Sequence, residues 1–271
     1  MMSKVAVLQM VSSASPAENL RQADLLLASA KEQNVELAVL PENFAFMGLK
    51  ETDKLGLAEA YPHGEIQEKV SALASKYRLW IIAGTIPVKG LQDKVRSSSL
   101  VFDEKGICAA RYDKIHLFDV RVSEQEAHQE SLTIERGSEL VVVDTPVGKI
   151  GLTVCYDLRF PELYQQLLMR GAELFSVPSA FTAITGMAHW EVLLRARAIE
   201  NLCYVLAANQ GGTHQNGRQT YGHSMIIEPW GKVLGQHENN AGMVTADIDL
   251  PRLHQLRRQF PCVEHHVLIC N

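Results

Sequence analysis

The sequence predicts an α/β protein in which helices cover mixed β-sheets. Three observations predict it. Short apolar segments and amphipathic ones alternate near the start in a β-α-β-α-β rhythm. Later stretches have the pattern of hairpins, which a purely parallel doubly wound sheet does not contain. Two further helical segments in the second half are each followed by a short apolar strand.

Taken in order, "KVAVLQM" (4–10) reads as a strand. Ser15-Pro16-Ala17-Glu18 then combines an N-cap serine, a proline at the first helical position and a glutamate at the capping-box position. "NLRQADLLLASAKEQ" continues with apolar residues at helical spacing. "VELAVL" reads as strand, "GEIQEKVSALASKYR" as helix and "LWIIAGT" as strand. "SSSLVFD", a turn at "DEKG" and "ICAARYDK" form one hairpin; "LVVVD", a turn at "TPVG" and "KIGLTV" form another. Helices are expected from about Phe160 to Arg170 and from about Met187 to Leu202. "HSMIIE" and the segments on either side of "NNAG" make a third set of strands, with a turn at "PWGK". The polar stretch from about Asp119 to Arg136 is long for an internal connection, and such loops tend to be functional or disordered.

At 271 residues, 46% hydrophobic and 21% charged, the chain has the make-up of a soluble globular protein, read as one domain over residues 1–271. A net charge of −5 without a block of like charge argues against nucleic acid or an anionic membrane as partner. No apolar stretch approaches the ~18 residues of a membrane span, and "MMSKVAVLQM" lacks the parts of a secretory signal. Cys108, Cys155, Cys203, Cys262 and Cys270 show no CxxC and no zinc-site spacing with histidine. Free thiols in a reducing, cytoplasmic compartment are expected.

Chemistry gathers at three strand ends. In "IGLTVCYDLRFPELY" the apolar run stops at Cys155 and Phe160-Pro161-Glu162 opens a helix. A thiol on such a corner gains from nearby backbone N–H groups and the helix dipole, whereas most free cysteines act as small buried hydrophobes. Glu42 in "LPENF" follows a strand end, where α/β sheets build ligand crevices; alone, it reads as a loop glutamate. Lys114 in "RYDKIHLFD" reads alone as a surface charge whose stem covers apolar area. Facing Cys155, it would lower the thiol pKa and stabilise an oxyanion. None of the ten histidines is singled out as a base, and His265-His266 reads as a solvated pair.

The stretches "LPENF", "YDKIHLFD" and "CYDLRFPELY" resemble, in order and separation, those of the nitrilase superfamily, carbon–nitrogen hydrolases built on a Glu-Lys-Cys triad. The likeness runs from the first strand to "PRLHQLRRQFP". It implies a four-layer α-β-β-α sandwich of two mixed sheets that pairs as a homodimer into an extended eight-layer sandwich. Glu42 would be the general base, Cys155 the nucleophile, and Lys114 with the Tyr156 N–H the oxyanion donors. Glu130, in "HQES", matches a second glutamate that positions substrate and triad; Glu124 and Glu126 lie close by. No metal and no cofactor is implied.

"PSAFTAITGMAHWEVLLRARAIE" and "YGHSMIIEPWG" look most like the Nit branch, whose members cleave amides of 2-oxo acids. The substrate implied first is a small-molecule 2-oxo acid amide, deaminated glutathione, giving 2-oxoglutarate and cysteinylglycine; the free amides 2-oxoglutaramate and 2-oxosuccinamate are the alternative. Arg159 would bind its carboxylate, with Phe181 and Thr185 lining the same pocket; capping Asp157 and ordinary loop packing are the plainer readings of these residues. An N-carbamoyl acid hydrolase and a silent ligand-binding scaffold are the competing functions. The loop "VSEQEAHQES" departs from the branch in lacking glycine and proline. Trp190, Leu193, Leu194 and Ala198 share one helix face, suited either to a core or to a dimer surface.

Overall fold

Every side chain from Val5 onward in β1 (Ser3–Gln9) is buried, because both faces of the strand are covered. Val5 and Val7 enter one core and Ala6 and Leu8 another, the alternation that period-two geometry imposes. The computed structural model describes residues 2–91, 93–122, 124 and 127–267. Cys270 and Glu126 lie outside the described residues.

Ser15 caps α1 (Pro16–Glu32) by accepting from the Glu18 N–H. The capping box is only half formed: the Glu18 carboxylate accepts from Ser13 Oγ at 2.9 Å instead of returning to the cap. β2 (Leu37–Val39) follows, then α2 (Glu65–Tyr77), β3 (Trp80–Ile82), β4 (Ile86–Lys89), β5 (Val95–Phe102) and β6 (Cys108–Asp113). β1, β2 and β3 run parallel, and β5 pairs antiparallel with β3, β4 and β6. Helix residues Ala23, Leu27, Val70 and Ala74 pack on the Ala6, Ala38 and Ile81 side of this sheet.

The stretch expected to be a long connection contains a small antiparallel hairpin, β7 (Asp119–Arg121) with β8 (Ala127–Gln129), and a 3-10 turn at Glu130–Leu132. β9 (Val142–Thr145) and β10 (Gly148–Leu152) are the expected hairpin. α3 (Pro161–Met169) leads to β11 (Leu174–Ser176), and α4 (Ala183–Asn201) to β12 (Tyr204–Ala207). α4 starts four residues earlier than its pattern suggested, because the Thr182 hydroxyl caps it by accepting from the Thr185 N–H. β10, β11 and β12 run parallel, flanked by antiparallel neighbours.

A short hairpin of β13 (Gly211–Thr213) and β14 (Gln219–Tyr221) precedes β15 (Ser224–Ile227), β16 (Val233–His237), β17 (Gly242–Ile248) and α5 (Leu250–Gln259). β16 pairs with β15 in the second sheet, whereas β17 crosses to lie antiparallel beside β1 in the first. Val5, Val7, Leu37 and Val39 of the first sheet meet Ile150, Leu152, Leu174 and Val205 of the second in a shared core. Across the second sheet, an added Cβ at Gly151 would stand 3.1 Å from Leu167 of α3. The result is the expected four-layer α-β-β-α sandwich of two mixed sheets. Trp190, Leu194 and Ala198 are fully buried in its core, so that face of α4 packs inward, with Leu193 partly buried against it. No helix among the described residues is long and apolar enough to cross a membrane.

Candidate active site

Glu42 lies three residues past β2 in a loop held from both sides. Asn43 takes φ +57°, and its N–H donates to Thr85 Oγ1 at 2.9 Å. At Gly84 a side chain is impossible: a Cβ there would stand 1.9 Å from the Pro41 carbonyl oxygen. Fixed in this way, Glu42 is 3% exposed. Its Oε1 accepts from Lys114 Nζ at 2.8 Å and its Oε2 from the Ala180 N–H at 2.9 Å.

Lys114 directly follows β6 and is fully buried. Its ammonium is 2.8 Å from Glu42 Oε1 and 3.0 and 2.8 Å from the two oxygens of Glu130. Glu130 Oε2 also accepts from the Phe118 N–H at 2.8 Å, which ties the 3-10 turn to the segment before β7. Burial opposes the charge on Lys114, but Glu130 and then Glu42 outweigh it and hold the pKa well above the usual lysine range. Burial likewise pushes Glu130 up, and Lys114 followed by Lys54 brings it below the usual range. One cation and two carboxylates thus leave the site a net negative charge.

Cys155 adopts φ +48°, a left-handed conformation that costs a non-glycine residue about 1–3 kcal/mol. The surroundings impose it. The Cys155 N–H donates to Pro178 O at 2.9 Å, and the buried Asp157 carboxylate accepts from Val154 N–H at 2.9 Å, Tyr112 OH at 2.7 Å and His116 N–H at 3.0 Å. His116 Nδ1 is also 2.7 Å from Asp157, and its ring stacks on Phe160. Burial, then the Glu42 carboxylate, pushes the Cys155 thiol well above its usual pKa; Lys114 and the Ala180 backbone pull less strongly the other way. The neutral thiol is therefore the favoured form of Cys155, in the same cleft as a carboxylate able to take its proton.

Glu42, Glu130, Cys155, Tyr156, Arg159, Phe181 and Thr185 line one cleft, with Lys114 immediately behind it. All eight residues singled out from the sequence come together. Tyr156 stands on the 3-10 turn Cys155–Arg159, whose first N–H groups have no partner within the turn. The Arg159 guanidinium lies 5.4 Å from the Phe181 ring centre and 5.8 Å from that of Tyr156, with Nη1 3.3 Å from His189 Nδ1. Asp157, its alternative partner, is occupied by Tyr112, Val154 and His116 instead.

Sequence reasoning missed Ala180, whose N–H orients Glu42, and the supporting role of Asp157. A carboxylate two residues past a strand-end cysteine was a readable capping signal for Asp157. It also missed Arg218, which lines the same cleft and donates to Ala180 O at 2.7 Å.

Two stacked mixed sheets with a buried cysteine, lysine and carboxylate just beyond their strand ends, and a second, partly buried carboxylate on the lysine, make a hydrolase site, and the chain belongs to the carbon–nitrogen hydrolase family, whose model matches residues 4–258. It is 42% identical over 265 residues to a deaminated glutathione amidase of Yersinia enterocolitica, covering 97% of this chain and 92% of that one. A deaminated glutathione amidase of Synechocystis sp. is 43% identical over 268 residues, covering 97% and 98%. The crystal structure of the Caenorhabditis elegans NitFhit protein superposes with a TM-score of 0.92 at 42% identity, over 98% of this chain and 65% of that one.

Proposed function

We propose that this carbon–nitrogen hydrolase cleaves the amide bond of deaminated glutathione, releasing 2-oxoglutarate and cysteinylglycine. The observation that carries the chemistry is the buried Lys114 ammonium held between Glu42 and Glu130 beside Cys155. Relatives named for this amidase activity, similar over nearly their whole length, support the substrate.

In this reading Glu42 takes the thiol proton as Cys155 Sγ attacks the amide carbon. Lys114 and the Tyr156 N–H stabilise the tetrahedral oxyanion. The C–N bond then breaks, and Glu42 returns the proton to the departing amine. Water, deprotonated by the same glutamate, attacks the thioester; the C–S bond breaks and the thiol is restored. Glu130 holds Lys114 in place. Arg159 pairs with the carboxylate of the 2-oxo acid, and Phe181 and Thr185 shape that end of the cleft.

The active form is a homodimer in a cytoplasmic, reducing setting. Free thiols at Cys108, Cys155, Cys203 and Cys262 support the setting. The outer face of α4 supports the dimer: Val192 and Ile199 are exposed at 69% and 47%, and Ile199 adjoins Gly231 beside the exposed Trp230–Phe260 pair.

The test is kcat/KM for deaminated glutathione and 2-oxoglutaramate side by side, with Cys155→Ala as blank. A preference of about 100-fold for the peptide, roughly 2.7 kcal/mol of differential transition-state binding, is expected. Comparable rates would make the enzyme an ω-amidase, and turnover of neither would refute the substrate.

A further inference from the structure

Beside the catalytic cleft lies a larger cavity of about 540 Å³, within the usual range for small-molecule sites. Arg218 lines both spaces and so stands at the neck between them. Its Nη2 is used by Ala180 O, but its Nε is buried without a hydrogen-bond partner. Such an orphan donor is costly unless something fills it.

The charged side chains lining the cavity are Lys50, Lys54 and Arg218 against Glu51 alone, an excess of positive charge in a confined space. Lys54 is ion-paired with Glu51 at 2.7 Å and also acts electrostatically on Glu130 at the catalytic end, while Arg218 acts on Glu51 from the neck. Phe46 and Met47 add apolar wall. A free ammonia leaving group needs none of this.

We propose that this cavity is the leaving-group subsite and that it takes a peptidic amine ending in a carboxylate. Arg218 donates to the peptide at the neck, and Lys54 balances the terminal carboxylate. The proposal rests on the reading above, in which the departing amine is cysteinylglycine. It gives the free-energy difference between a peptide and a free amide a physical location.

The experiment compares kcat/KM for deaminated glutathione and for its C-terminal carboxamide, in wild type, Lys54→Met and Arg218→Gln. The wild type is expected to prefer the carboxylate by about 10-fold or more, and Lys54→Met to cut that ratio at least threefold. Any effect passed through Glu130 to the chemistry acts on both substrates and cancels in the ratio. For Arg218→Gln both rates are expected to fall, because the peptide itself loses a donor. Equal wild-type rates with both compounds would overturn the subsite, and that comparison needs no variant to fold. An unchanged ratio in Lys54→Met would overturn it as well. Turnover of neither compound by the wild type would instead overturn the substrate reading and this subsite with it.

Discussion

Glu42 and Cys155 occupy matching places in the two sheets: each lies three residues beyond an inner strand, β2 ending at Val39 and β10 at Leu152. Face-to-face packing of the sheets brings these two corners together. Lys114, one residue past β6, completes the site from a third strand. Glu42, Cys155 and Lys114 are therefore each held within three residues of a strand, and their geometry is set before substrate arrives.

The pairing of Glu42 with Cys155 makes alkylation and hydrolysis respond in opposite directions to one substitution. Glu42→Gln removes a negative neighbour and leaves Lys114 opposed by Glu130 alone, so the thiolate is favoured and the thiol pKa falls. Iodoacetamide should modify Cys155 several-fold faster at pH 7 in this variant, while amide hydrolysis drops by about 100-fold or more. Alkylation no faster than in wild type would show that Glu42 does not set the thiol pKa.

Lys114→Met leaves two carboxylates facing each other in a buried site. Destabilisation of about 3–5 kcal/mol is expected, the usual cost of an uncompensated buried charge. Adding Glu42→Gln should recover part of it, which urea unfolding of the single and double variants measures. Strict additivity would refute the electrostatic account.

Asp157 acts on Cys155 through the backbone and is a positioning residue. Asp157→Asn presents an NH2 where only donors converge, so a loss of about 2–3 kcal/mol is expected. As the Cys155 corner loosens, kcat should fall more than KM rises. A KM effect alone would place Asp157 in substrate binding.

His214 carries a pH signature. Its Nδ1 is 2.9 Å from Ser12 O and must donate, so Nε2, 2.8 Å from Thr220 Oγ1, is the acceptor of a neutral ring. Burial lowers its pKa below the ordinary 6.5. The unfolded chain therefore takes up the proton first, and stability from this group is full above about pH 6.5 and lost as pH falls toward the folded pKa. His214→Gln should narrow the Tm difference between pH 7.5 and 5.5; an unchanged difference would assign the acid sensitivity elsewhere.

Val192→Asp with Ile199→Asp places two charges on the outer face of α4. The expected result is a monomer in sedimentation velocity, against the dimer proposed for wild type, with the fold intact because neither side chain is in the core. Unaltered sedimentation would move the interface off α4.

Where signals are local, the fold was legible. Ser15-Pro16 marks the start of α1, and the DEKG and TPVG turns mark two hairpins. α5 was missed because only Leu253 on it is buried, too little for an apolar stripe. In the site, three strand ends were legible as corners, and the family resemblance joined them. Their convergence is long-range: Lys114 meets Glu42 across 72 positions, and Ala180 meets it across 138. A lysine that reads as a surface charge is completely buried because its partners are distant in sequence. Arg218 had no signal at all, since it sits in the turn just before a three-residue strand of a short hairpin.

The crossing of β17 to the side of β1 bears on how the protein is made. Synthesis runs vectorially, and Ser3–Gln9 leaves the ribosome long before its neighbour Gly242–Ile248 exists. Until then the β1 edge offers unpaired backbone groups to any passing strand. The nascent chain thus spends most of its translation with this edge open, and the strand Gly242–Ile248 acts as the latch that closes it.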